Sequence, residues 1–330
     1  MTEPPLLEVR ELCKRFPLGG GLLKRPSAWV QAVDGVSFHL NRAESFGLVG
    51  ESGCGKTTVG RLVLRLLEPT SGSILFRGMD ITAMKGRQLR FLRKSMQIVF
   101  QDPYSCLDPR MKVVEIVTEP LRATTSLSRS ERRERALQVL EKVGLRSSDL
   151  EKYPHEFSGG QRQRIAIARA LAGEPELVVA DEPVSALDVS IQAQVVNLLV
   201  DLQQEYGLSY LFISHDLSVV EHLCDRVGVM YLGRLVELAP VEVFARDSRH
   251  PYTRSLRASI LLPDPKRPWQ PSPLEGDVPS ATAPPSGCHF HPRCPHALES
   301  CTLHRPELVQ VGDEHWVACW LNNGQGLLSC

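Results

Sequence analysis

The sequence predicts an α/β protein built on a central parallel sheet, with a phosphate-binding loop at the end of one strand. Three observations predict it. Short apolar runs at 46–49, 177–180 and 210–213 each break off into polar or glycine-rich residues, as strands buried on both faces do. The segment Gly50-Glu51-Ser52-Gly53-Cys54-Gly55-Lys56-Thr57-Thr58 lies between the first of these runs and a helical stretch, 59–67. Asp181, Glu182 and His215 stand at the ends of the other two runs, where ligands bind in open α/β sheets.

The glycine-rich loop carries the chemistry. Glycines let the backbone wrap an anion with no Cβ in the way. The N–H groups of the loop and of the following helix then point at phosphate oxygens. Lys56 can reach the β- and γ-phosphates, and the Thr57 hydroxyl can ligate Mg²⁺. A nucleoside triphosphate is the expected ligand, bound by all nine residues from Gly50 to Thr58.

Composition narrows the class. With 330 residues, the chain holds one large domain or two. Apolar residues make up 42% and charged residues 23%, enough for an ordinary core. Lys plus Arg balances Asp plus Glu at 38 each, so nothing supports a general nucleic-acid or anionic-membrane binder. No 18-residue apolar stretch occurs to span a bilayer. Met1-Thr2-Glu3-Pro4-Pro5 has no basic n-region and leads into no apolar h-region, so no signal peptide is expected. A cytoplasmic protein without structural disulfides is the expectation.

In chain order, 6–10 and 36–40 read as strands, and 17–28 as a surface loop rich in Gly, Lys and Pro. Phe16 and Trp29 are aromatics that could stack on an adenine ring or simply pack. Strands follow at 73–76 and 96–100, the second ending at Gln101 and the polar turn 101–105. The basic stretch 85–94 reads as a solvated helix. Residues 131–143 form an amphipathic helix with Ala136, Leu137, Leu140 and Val143 on one side, stopped by Gly144. Ser158-Gly159-Gly160-Gln161 then opens a helix, with Ser158 as N-cap and two glycines exposing N–H groups, a second anion-binding helix terminus.

Asp181 and Glu182 end the run at 177–180. Two carboxylates at the edge of a buried strand are costly unless they hold a cation or do chemistry. Adjacent strand residues point opposite ways. Asp181 is therefore assigned to Mg²⁺ and Glu182 to polarising the attacking water. Residues 185–188 precede an amphipathic helix at 191–204, and His215 after 210–213 is placed as a γ-phosphate contact.

The C-terminal part differs in character. Residues 263–287 are proline-rich with little periodicity, a linker or an irregular wrap. Cys288, Cys294, Cys301 and Cys319 follow, with Cys330 at the terminus. Three close thiols plus one distant thiol suit a metal centre, an iron–sulfur cluster or zinc, with unbridged thiols and disulfides as the other readings. Zinc generally uses tighter Cys pairs, but His289, His291, His296, His304 and His315 lie nearby.

These motifs, in this order, resemble the ATP-binding subunits of ABC transporters over about residues 6–262. The loop at 50–57 looks like Walker A, and Gln101 looks like the Q-loop glutamine. Residues 157–161 look like the signature motif, with Phe157 in place of the commoner Leu. Residues 177–182 look like Walker B with the catalytic glutamate, 185–188 like the D-loop and His215 like the switch histidine. Phe16 sits where the family's adenine-stacking aromatic is expected. Segments 97–103, 181–194 and 250–254 look like the oligopeptide/dipeptide importer subfamily, whose C-terminal extension is associated with a [4Fe–4S] cluster.

The resemblance implies a P-loop NTPase (RecA-like) domain over 1–262. It carries an inserted helical subdomain at about 102–175, an antiparallel β subdomain and, at 288–330, a small irregular Cys-rich extension. It implies catalytic Glu182, His215 and Gln101, with Mg²⁺ held by Thr57, Gln101 and Asp181. It implies a cluster on Cys288, Cys294, Cys301 and Cys319. It also implies that Ser158, Gly159, Gly160 and Gln161 act on ATP bound to a second ATPase subunit. Two membrane permeases and an extracytoplasmic peptide-binding protein complete the implied assembly, on the cytoplasmic face of the bacterial inner membrane. The alternative functions are an importer ATPase for another cargo, such as a nickel chelate or a glutathione-like peptide, and an ABC ATPase with no transporter attached.

Overall fold

The structure is a computed structural model, and it describes residues 4–19, 26–259 and 276–322. Two sheets organise it. A four-stranded antiparallel sheet joins β1 (Leu7–Leu18), β2 (Ala28–Leu40), β4 (Ser71–Phe76) and β5 (Met79–Asp80) in the order β2-β1-β4-β5. An eight-stranded sheet joins β3 (Ser45–Val49), β6 (Met96–Val99), β7 (Leu177–Asp181), β8 (Ser209–Ser214), β9 (Arg226–Tyr231), β10 (Arg234–Pro240), β11 (Val309–Gly312) and β12 (His315–Val317). Its order is β11-β12-β10-β9-β3-β8-β7-β6.

From β9 to β6 this large sheet is parallel. Its central strands are buried on both faces, which is why their sequences are runs of apolar residues rather than alternations. Successive side chains point to opposite faces. Val178, Ala180, Tyr210 and Phe212 thus enter one core, shared with the helices between β6 and β7. Leu177, Val179, Leu211 and Ile213 enter a second core, shared with β1, β2 and the helix Lys56–Val63.

The hairpin β1–β2 is much longer than the strands expected at 6–10 and 36–40. It takes in only 17, 18 and 28 of the stretch read as a loop, in which 20–25 lie outside the described residues. Bulges around Glu11, whose φ is 44°, break the alternation that a sequence reader looks for. Between β6 and β7 lie only helices and turns, chiefly Val113–Val117, Arg129–Lys142 and Gly159–Leu171. Helix Arg129–Lys142 starts at a capping box, in which Ser128 Oγ accepts from Glu131 N at 3.2 Å and Glu131 Oε2 accepts from Ser128 N at 2.7 Å. Among the described residues, no helix is long and apolar enough to cross a membrane.

The C-terminal extension departs from the irregular appendage expected. It continues the main sheet, because β11 and β12 form a hairpin and β12 pairs antiparallel with β10. The pairing brings His315 onto Glu237, which is fully buried, with His315 Nε2 2.8 Å from Glu237 Oε1. The run from 309 to 317 alternates, but over too few residues to stand out beside the prolines and cysteines. Of the proline-rich stretch, 263–275 lies outside the described residues. The rest is tied down by Gln31 N–H, which donates to Ala281 O at 3.0 Å.

Candidate functional site

The loop after β3 is shaped by what lies behind it. Gly50 has φ 147°, and a Cβ there would stand 2.2 Å from Met230 O. Gly55 has φ 108°, and its Cβ would stand 2.1 Å from Ala32 O. Both positions need glycine because the loop is pressed against the end of β9 and against β2. Gly53 faces open space instead. Lys56 is 4% exposed, and its ammonium donates to Gly50 O at 2.6 Å and Glu51 O at 3.0 Å. It is therefore folded back onto the backbone of its own loop.

The adjacent strand ends complete the site. Thr57 Oγ1 donates to Asp181 Oδ1 at 2.8 Å, joining the first turn of the helix Lys56–Val63 to the end of β7. Burial pushes the Asp181 carboxyl above its ordinary range, and the Thr57 hydroxyl opposes this. A buried carboxylate beside a hydroxyl is a suitable donor pair for a hard divalent cation. Glu182 follows in a left-handed conformation, φ 48°, with its N–H donating to Ile213 O at 2.9 Å. Each of its carboxyl oxygens is held. Gln101 Nε2 donates to Oε2 at 2.9 Å, and His215 Nδ1 lies 3.2 Å from Oε1. Gln101, Glu182 and His215 come just after β6, β7 and β8, so strand order alone gathers them at one sheet edge.

The remaining expected residues lie elsewhere. Ser158 caps the helix Gly159–Leu171 in a capping box with Gln161, Ser158 Oγ accepting from Gln161 N at 3.4 Å and Gln161 Oε1 from Ser158 N at 3.0 Å. The nearest neighbours of Gly159 and Gly160 are Leu187, Tyr104 and Ile191, not the phosphate loop. Phe16 is half-buried on β1 opposite Val30, with Lys14 Nζ 5.1 Å from its ring centroid. Trp29 is 49% exposed.

Cys288, Cys294, Cys301 and Cys319 line one small pocket together with Phe290, His291 and His296. The eight described cysteines are all free thiols. Yet among the described residues no group of three or more His, Cys, Asp or Glu side chains is arranged to hold a metal ion. Burial also raises the thiols of Cys294, Cys319 and Cys288, the last to about 11, and neighbouring thiols add to that rise. The metal expectations for the tail thus gain no support from this geometry.

Comparison with known proteins decides the family. The ABC transporter family matches residues 33–185, and the oligopeptide/dipeptide transporter C-terminal region matches 236–301. A putative peptide import ATP-binding protein of Brucella ovis is 53% identical over 323 residues, 98% of this chain and 100% of that protein. The chain belongs to the ATP-binding subunits of ABC transporters. The oligopeptide transport ATP-binding protein AppF of Bacillus subtilis is 50% identical, covering 97% of this chain and 98% of its own length. The dimeric structure of the bacterial ABC transporter cassette MJ0796 covers 71% of this chain and 98% of its own at 27% identity, with a TM-score of 0.63. This ABC subunit is thus an ATPase, and ATP with Mg²⁺ is the ligand its loop serves.

Sequence reasoning missed one part of the ATPase site. Glu51, inside the loop, is bound by Arg293 from the tail, with Nη1 donating to Oε2 at 2.8 Å and Nη2 to Oε1 at 3.1 Å. Its backbone N–H donates to the Tyr252 hydroxyl at 2.8 Å. Nothing in the sequence links positions 51 and 293. The 250–254 and 287–295 segments, which hold Tyr252 and Arg293, mark the subfamily in the sequence but not this contact.

Proposed function

We propose that this chain powers the import of di- and oligopeptides, by closing on ATP together with a second ATP-binding subunit. One observation carries the catalytic part. The Glu182 carboxylate is held by Gln101 and His215, one residue beyond the Asp181–Thr57 pair. In that place Glu182 orients and polarises water for attack on the γ-phosphate. Lys56 and the loop N–H groups bind the phosphates, and His215 follows the γ-phosphate as it leaves. Thr57, Asp181 and Gln101 would hold Mg²⁺, which supplies charge neutralisation at the phosphates.

Ser158, Gly159, Gly160 and Gln161 open a helix whose glycines lie against Leu187, Tyr104 and Ile191 rather than against their own loop. They serve ATP on the partner subunit, and Phe16 stacks on adenine. Peptide cargo rests on the relatives at 50–53% identity, which are named as peptide import, oligopeptide transport and dipeptide transport ATP-binding proteins. Two permeases and a binding protein complete the machine, with this chain at the inner face of the membrane. For the tail, the resemblance of 287–295 to the importers' C-terminal extension, and not the thiol geometry, favours a [4Fe–4S] cluster over zinc.

The deciding experiment expresses the chain with the permeases encoded beside it and measures peptide-stimulated ATP hydrolysis in proteoliposomes. Co-purification with stimulation by peptide is expected. An ATPase that instead co-fractionates with ribosomes or DNA overturns the import reading. Iron and acid-labile sulfide in anaerobically purified protein support the cluster, and stoichiometric zinc without iron refutes it.

A further inference from the structure

We infer that the C-terminal extension sets nucleotide affinity, with Arg293 acting as a positioning residue for the phosphate loop through Glu51. The contact is built rather than incidental. The Arg293 side chain is 5% exposed, and its two terminal nitrogens meet both oxygens of one carboxylate. Arg293 Nη1 also lies 3.4 Å from the Tyr231 hydroxyl. The turn that carries it, His291–Arg293, follows directly on Phe290. Phe290 packs edge-on against Tyr231, with ring centroids 5.3 Å apart, and lies 5.4 Å from Tyr252. Tyr252 in turn accepts the Glu51 N–H. Two neighbouring tail residues thus hold the same loop position, one directly and one through an aromatic stack.

Two physical effects follow. Glu51 is a carboxylate within the loop that must receive a polyanion, and an unpaired charge there opposes phosphate binding. A bidentate guanidinium cancels it while fixing its direction. Glu51 O also accepts from Lys56 Nζ at 3.0 Å, so the placement of Glu51 passes to the lysine that binds phosphate. Arg293 does not touch nucleotide, and its effect goes through Glu51 alone. The inference rests on the loop being the nucleotide site, and the site's own knock-out, Lys56→Ala, controls for that.

The test is a double-substitution cycle on the full chain, read as Mg·ADP affinity by calorimetry so that turnover does not intervene. Arg293→Ala is expected to weaken binding about tenfold, the loss of one well-placed charged hydrogen-bond pair. In a Glu51→Gln background, where there is no charge to cancel, the same substitution is expected to cost less than about threefold. Arg293→Lys, which keeps the charge and loses the fork, is expected to fall between wild type and alanine. If Arg293→Ala does not fold, the lysine variant alone decides, in both backgrounds. Unchanged affinity, or an equal loss in the wild-type and Glu51→Gln backgrounds, overturns the proposal. If Lys56→Ala binds Mg·ADP as wild type does, the loop reading itself is wrong, which separates the two failures.

Discussion

At the scale of single residues, the site is a set of carboxylates fixed in place by their neighbours. Glu182 occupies a backbone conformation that is unfavourable for a side chain bearing a Cβ. It stays there because its N–H is bound to β8 and its two oxygens to Gln101 and His215. Glu182→Gln preserves shape and removes the charge that polarises water. Hydrolysis is expected to fall by about 10² to 10⁴ while ATP binding persists, and a closed dimer should accumulate, visible by size-exclusion with Mg·ATP. Turnover at the wild-type rate would remove Glu182 from the mechanism. Lys56→Ala acts earlier, at binding. It leaves the carbonyls of Gly50 and Glu51 without their cation and the phosphates without theirs, so calorimetry should show ATP affinity lowered by at least about tenfold.

At the scale of elements, two helix starts divide the work. The helix Lys56–Val63 begins at Gly55 directly after the glycine-rich loop, with Thr57 bound to Asp181 in its first turn. The helix Gly159–Leu171 begins at a capping box and packs against the helix Val189–Tyr206 instead. A Cβ on Gly160 would stand 2.4 Å from Ile191 Cγ2. Isoleucine is branched at Cβ and cannot swing that methyl away cheaply. Gly160→Ala is therefore expected to destabilise the fold by about 1–3 kcal/mol. Adding Ile191→Ala should recover part of the loss, because the second change removes the obstructing methyl. Urea midpoints of the two single variants and the double measure this, and strict additivity would show that the contact does not matter. The legibility of these elements differed for a physical reason. Ser158 with Gln161 is a local signal three residues apart, whereas the clash at Gly160 joins residues 31 apart in sequence.

At the scale of the whole molecule, the extension is part of the sheet and of the site. His250 shows how tightly it is sealed. It is 1% exposed, and its Nδ1 accepts from Tyr252 N–H at 3.1 Å, which requires the neutral ring. Burial pushes its pKa down to about 3. The folded state therefore binds fewer protons at this ring than the unfolded state between the unfolded value of about 6.5 and the folded value of about 3. Stability from this group is complete above pH 6.5 and falls as pH drops through that window, by a few kcal/mol at most. His250→Asn, which can still cap the helix Pro251–Ala258, should flatten the acid limb of a urea-midpoint profile. An unaltered acid limb would show that other groups control it.

The sequence by itself determined the buried strands and where their polar ends fall. A parallel strand buried on both faces must be apolar throughout, and its end must turn polar where it meets ligand. Runs such as 177–180 followed by Asp181 and Glu182 can therefore be read without a structure. The loop at Gly50–Thr58 was legible for the same reason, because its glycines and lysine are adjacent in the chain. Only the tertiary structure decided that Gln101 and His215 share the oxygens of one carboxylate, that residues 309–317 extend the main sheet, and that Arg293 grips Glu51. Each of these joins segments distant in sequence through a few side-chain atoms. Such contacts leave no periodicity and no spacing, because their partners are matched in space after the chain has folded.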